Sequence, residues 1–308
     1  MGSSTFNGPV RSQNGFQIVA KDATSGLHTD ETNLDGSDAR RYTLSESFKK
    51  RPALNAVINA AYDNADATNA SNTTITVARV IANKDFEILG SNMTTALVTF
   101  NTTDAGIMIT TAGTDEDQAI IAPHLDTNQT AWASTVWGSE NSVQWECNIT
   151  TVTITDVKIW AGIKLTNDQL VATDDDQAYF KFQTDATNSE AFTDYEVLHF
   201  VYSVGGTDYI TALPITIAAG TKYHLKIVID ANRQATIYVN GTQYNIANTA
   251  GSTGGTTATK TLQDTAPVLS NALTTGITFI PYIGIETGTG TLKSLVVANE
   301  SISRLAHE

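Results

Sequence analysis

The chain is predicted to be all-β, a two-sheet sandwich, and three observations predict it. The first is the stretch Tyr223 to Tyr244, in which Tyr223, Leu225, Ile227 and Ile229 alternate with His224, Lys226 and Asp230, and Ala235, Ile237 and Val239 alternate with Thr236, Tyr238 and Asn240. A period of two is that of half-buried strands. The second is about a dozen further short apolar segments separated by turn residues, Gly205-Gly206 and Asn240-Gly241 among them, which suit hairpins better than βαβ units. The third is composition: only 16% of the 308 residues are charged and only six are proline, as expected of sheets with polar, uncharged outer faces.

Residues 1–43 carry Gly2, Gly8, Pro9, Gly15, Gly26 and Gly36 among Ser, Asn, Asp and Thr without sustained periodicity, and read as an extended N-terminal arm. Phe6 and Phe16 interrupt it; lacking a core of their own, they pack on the body or on another chain. Residues 44–74 are expected to form a short helical connector. Thr43 and Glu46 have the spacing of a capping box, and Pro52 can open a second helical stretch through Leu54, Val57, Ile58, Ala61 and Tyr62. Residues 75–308 are the sandwich.

Strands are expected at Phe86 to Leu89, Ala96 to Phe100, Ile107 to Thr110, Ala119 to Ile121, Val143 to Ile149 and Val157 to Leu165. They continue at Ala178 to Phe182, Val197 to Val204, Tyr209 to Ala212, the meander already described, Ile277 to Glu286 and Leu292 to Ala298. In the meander Asn232 is the residue expected to take a positive φ in the first turn, and Asn240-Gly241 supplies a type I′ hairpin. Residues 249–270, rich in Gly, Thr, Ala and Ser, read as a long loop.

The formal charge of −14 argues against nucleic acid as a partner, since phosphate binding needs clustered Lys and Arg. The charge is uneven: residues 1–51 sum to +1 and the rest to −15. Either the acidic body is simply a mutually repelling, solvated surface, or the near-neutral arm docks on a partner that the body does not touch. No apolar run is long enough to cross a membrane, and the first residues do not read as a signal peptide or a myristoylation site.

Cys147, the sole cysteine, is in phase with Val143, Trp145 and Ile149 and reads as a small core residue. Glu146 stands between Gln144 and Asn148 without the alternating carboxylate partner that glycoside hydrolysis requires. Asp174, Asp175 and Asp176 suggest calcium, but successive acids of an extended run point opposite ways, so a solvated turn is expected. His28, His124, His199, His224 and His307 lack metal-ligand spacing. Trp132, Trp137, Trp145 and Trp160 read as core or loop packing, the alternative being a sugar-stacking platform. The sequons at Asn148 and Asn240 follow from an Asn- and Thr-rich composition. No catalytic, cofactor-binding or metal-binding residue is therefore expected.

Gly106 through Asp115 and Gln118 to His124, Trp145-Glu146, Ala161 to Leu165, Asp174 to Gln177, Ile229-Asp230 and Tyr238 to Gly241 together resemble a concanavalin A-like (laminin G-like) jelly roll of structural proteins from marine tailed phages. The likeness covers roughly residues 84–304, and Thr5 to Phe16 also resembles the N-terminal segment of such virion proteins. The resemblance implies a virion structural protein, a capsid decoration or cement protein on the head exterior, made in the host cytoplasm. Its implied partners are other virion proteins, the major capsid protein through the arm, and its own copies in a homotrimer. The alternative it leaves is a tail-associated or glycan-binding module.

Overall fold

The computed structural model describes residues 19–21, 28–30, 41–49, 53–54, 80–81, 86–90, 92, 95–101, 103–123, 137–166, 169–185, 190, 192, 194–257 and 271–305. The chain divides into two compact units. One is residues 1–42 with 305–308, the other residues 43–304. In the first, β1 (Val19–Lys21) and β2 (His28–Asp30) form an antiparallel hairpin. Phe6 and Phe16 lie outside the described residues.

The body is a two-sheet jelly-roll sandwich. Its strands in chain order are β3 (Arg41–Glu46), β4 (Ala53–Leu54), β5 (Val80–Ile81), β6 (Phe86–Gly90), β7 (Val98–Asn101), β8 (Gly106–Thr110), β9 (Gln118–Pro123) and β10 (Trp137–Gly138). They continue with β11 (Gln144–Thr151), β12 (Val157–Lys164), β13 (Gln177–Gln183), β14 (Val197–Val204), β15 (Thr207–Thr216), β16 (Thr221–Ile229), β17 (Ala235–Val239), β18 (Thr242–Tyr244), β19 (Gly251–Gly254), β20 (Thr278–Thr287) and β21 (Ser294–Leu305). The large sheet runs β19-β15-β14-β13-β12-β20-β9-β6-β5-β4, with β10 also on β20. The smaller runs β18-β17-β16-β11-β21-β8-β7, with β3 also on β21. The chain crosses between sheets repeatedly, which is what encloses one core. Facing residues such as Ile159, Phe180, Phe200 and Ile283 of the large sheet and Trp145, Leu225, Ile237 and Leu295 of the small one fill it.

The meander forms as its alternation requires, with β16, β17 and β18 antiparallel and Leu225, Ile227 and Ile229 inward. Asn240 (φ 50°) and Gly241 (φ 77°) make the type I′ turn. In the turn before it the positive φ falls on Arg233 (63°), not Asn232. Asp230 Oδ1 accepts the N–H groups of Asn232 and Gln234, which fixes Asn232, and Arg233 Nε donates to Leu273 O.

Three expectations change. Thr43 and Glu46 do not cap a helix, because they lie within β3, whose neighbour β21 supplies the ladder that overrides local capping. Glu46 instead accepts the backbone N–H of Phe48, a core residue packed edge-on against Phe86. The remainder of the expected connector lies almost wholly outside the described residues, among which there is no α-helix. The loop of residues 249–270 is broken by β19, which pairs parallel to β15; residues 258–270 lie outside the described set. The last strand extends to Leu305, well past Ala298, because a bulge at Ala298 shifts the register and restarts the alternation.

Candidate functional site: a sealed polar face on the large sheet

The strands at the middle of the large sheet are buried on both faces. In β12, Val157, Ile159, Ala161 and Ile163 point into the sandwich, so Lys158, Trp160, Gly162 and Lys164 point away from it, yet all of β12 is buried. The same holds for β13, where Gln177, Tyr179, Lys181 and Gln183 share that outer face. Register sets them in rows: Gly284, Trp160, Lys181 and His199 lie side by side across β20, β12, β13 and β14. One step along, Gln118, Glu286, Lys158 and Gln183 form the next row.

The space between these side chains is filled by a second apolar cluster that includes Ile120, Trp160, Tyr179, Val201 and Tyr282. Val171 and Phe192 of the same cluster come from the segments after β12 and β13, which therefore cover the face. Two glycines make room for this layer. A Cβ on Gly284 would meet the Trp160 ring at 2.2 Å, so the indole lies directly on that backbone, and one on Gly288 would meet Asp185 Cγ at 2.3 Å.

Every lysine of the face is paired. Lys158 Nζ donates to Glu286 Oε1 at 2.6 Å and lies 3.3 Å from Asp185 Oδ2. Lys164 Nζ is 3.2 Å from Asp174 Oδ2, donates to Gln177 Oε1 and sits 4.3 Å from the centre of the Tyr179 ring. Lys181 Nζ donates to Glu190 Oε2 and, at 2.7 Å each, to Gln169 O and Oε1. Gln169 and Glu190 belong to the covering segments, so Lys181 is the bolt that holds them. Glu190 Oε1 also accepts the Val171 N–H, and Gln118 Nε2 donates to Glu286 Oε2 at 2.5 Å. Burial alone would lower the Lys158 ammonium, but Glu286 and Asp185 outweigh it and hold that group above its ordinary value. Lys181 has one carboxylate; burial wins there and lowers it to about 8.

Two buried ring nitrogens on this face have no hydrogen-bond partner among the described residues. They are Trp160 Nε1 and His199 Nε2. His199 Nδ1 lies 3.0 Å from Val197 O, so it carries the proton and donates; Nε2 is then a bare acceptor. Burial lowers the His199 imidazolium to about 4, and the Phe192 ring packs on it at 4.6 Å.

The residues weighed from sequence are dispersed. Glu146 lies on the outer face of the small sheet, 3.5 Å from His224 Nε2 and 3.9 Å from Lys226 Nζ, without a neighbouring carboxylate among the described residues. Cys147 is in the core, where burial pushes its thiol well up. Asp174 and Asp176 do not form a solvated turn. Both are buried, because Asp174 accepts Thr166 Oγ1 and the amides of Leu165 and Thr166, and Asp176 accepts the amides of Thr274 and Gly205. Only Asp175 is exposed. No group of three or more His, Cys, Asp and Glu gathers among the described residues.

Trp137, Trp145 and Trp160 are buried, and Trp132 lies outside the described residues. His28, His124 and His307 have no described side chain. Asn148 Nδ2 donates to Asn299 Oδ1 at 2.7 Å, and Asn240 Oδ1 accepts the His224 amide. The paired lysines were missed because alternate lysines read as solvent-facing. The available signal was the mixture on the same alternate positions: Trp160, Gly162, Tyr179, Tyr282 and Gly284 are not residues of a wet face.

No family model matches the chain, and no curated protein matches it. Solved structures do. A protein of unknown function from Shewanella oneidensis MR-1 is similar at 8% identity over 87% of this chain and 88% of its own, with a TM-score of 0.46. A carbohydrate-binding module from Bacillus subtilis is similar at 12% over 69% and 94%, TM-score 0.35. An alginate lyase from a Corynebacterium species is similar at 9% over 70% and 92%, TM-score 0.40. At these identities and scores they assign no role to any residue here.

Proposed function

We propose that this chain is a virion structural protein of a tailed phage, a decoration or cement protein on the capsid exterior. The observation that carries the reading, beside the likeness of its motifs to marine phage virion proteins, is the closure of the outer face of the large sheet. A binding or catalytic site needs a concave surface open to its ligand. Here the chain's own segments cover the outer face of the large sheet, and Lys158, Lys164 and Lys181 are consumed in internal pairs. In this reading the acidic body is a coat on the capsid surface, with residues 1–43 as the contact to the major capsid protein and copies arranged as a trimer. The test is copy number per virion, measured by quantitative mass spectrometry of purified particles. A number matching the head lattice supports the reading, and a few copies per particle contradict it.

A second reading, a tail-associated glycan-binding module, is favoured by the unpartnered Trp160 Nε1–H and His199 Nε2. A donor and an acceptor buried on one face, with Lys181 on the strand between them, suit a ligand that carries more than one hydroxyl group, and each left unpaired costs about 1–3 kcal/mol. That reading requires the covering segments to open. Saturable retention of the protein on a glycan array, lost in His199→Phe, would favour it.

A further inference from the structure

The cluster of Lys158, Asp185 and Glu286 places an amine beside two carboxylates in a site closed to water, each side chain no more than 3% exposed. The geometry points to a self-catalysed isopeptide bond between Lys158 Nζ and Asp185 Cγ, with Glu286 carrying the protons.

The three lysines of the face differ in what surrounds them. Lys181 meets one carboxylate and the amide side chain of Gln169. Lys164 meets Asp174, whose oxygens already accept three other donors, and the amide of Gln177. Among the described residues Lys158 alone of the three meets two carboxylates, so one can be attacked while the other moves protons. Nζ is 3.3 Å from Asp185 Oδ2, so the carbon to be attacked is one bond beyond an atom already in contact with the amine, and a side-chain rotation brings it to the separation that intramolecular attack requires. Glu286 Oε1, 2.6 Å from Nζ, is in reach of the protons that must leave.

The step balances without an oxidant or a co-reactant. Nζ forms a bond to Cγ, and one Cγ–O bond of Asp185 breaks. Glu286 takes protons from the nitrogen and delivers them to the departing oxygen, which leaves as water, and Glu286 returns to its carboxylate. The driving force is desolvation, because an ammonium and a carboxylate buried together are replaced by a neutral amide. Glu286 keeps partners afterwards in Gln118 and Gln169. The Lys158 ammonium is the resting form, so the reaction runs through a minor neutral state and proceeds slowly, once per molecule. The product ties β12 to the residue at which the covering segment leaves β13.

The experiment is intact-mass spectrometry of the full chain under denaturing conditions, followed by peptide mapping. The expected mass is below that of the sequence by one water, with a branched peptide joining the segments that hold Lys158 and Asp185. Lys158→Arg and Glu286→Gln chains that retain β circular dichroism are expected to keep the full mass. A wild-type chain that keeps its water after long incubation at neutral and alkaline pH overturns the proposal. So does a water loss that maps to one linear peptide, such as a succinimide at Asp35-Gly36, and a Glu286→Gln chain that still forms the branched peptide.

Discussion

Glu300 sits inside the sandwich, opposite Cys147 on the neighbouring strand, and accepts a hydrogen bond from Trp145 Nε1 at 2.9 Å. Its Oε2 has no partner among the described residues, and burial pushes the carboxyl up to about 8 against an ordinary 4.5. The bulge in β21 put it there: past Ala298 the inward positions become Glu300 and Ile302 instead of continuing the Leu295 and Val297 series. Between about pH 4.5 and about pH 8 the folded state holds a proton that the unfolded chain has released, so stability contributed here falls as pH rises. The slope is about 1.4 kcal/mol per pH unit inside that window and vanishes below it. Glu300→Gln removes the slope. Urea midpoints of the variant are expected to gain on wild type steadily from pH 5 to pH 8, whereas parallel curves would mean that the carboxyl is solvated.

At the scale of elements, the covering segments after β12 and β13 are tied to the sheet and to each other through Lys181, whose three donors go to Gln169 O, Gln169 Oε1 and Glu190 Oε2. Lys181→Met leaves the Glu190 carboxylate without its cation and is expected to cost about 3–5 kcal/mol, as when one partner of a buried pair is removed. Adding Glu190→Gln recovers much of the loss, since the amide oxygen still accepts the Val171 N–H. Denaturant titration of the single and double variants measures both, and a double variant no more stable than Lys181→Met would place the loss elsewhere. The strands themselves were legible, because alternation in Tyr223 to Val239 and the turn residues Gly205-Gly206 and Asn240-Gly241 are local features that tertiary packing had no reason to override. What was not legible is what covers a strand. Lys158, Lys164 and Lys181 alternate with apolar residues as they would on a wet face, and the covering residues Gln169, Glu190 and Phe192 come from segments without periodicity. Thr43 and Glu46 failed for the same reason, since the strand that recruits them, β21, is some 250 residues away.

For the whole molecule, the proposal joins a closed acidic body to an arm that engages the head. A protein that binds the assembled capsid, and not its opened form, stabilises the assembled state by mass action. A module on the tail would leave that equilibrium untouched and act in adsorption. The direct measurement is therefore a paired assay on particles with and without this protein: the temperature at which DNA becomes accessible to an intercalating dye, and the rate of adsorption to host cells. DNA release at lower temperature with unchanged adsorption is the predicted result; unchanged release with slowed adsorption would contradict the capsid role.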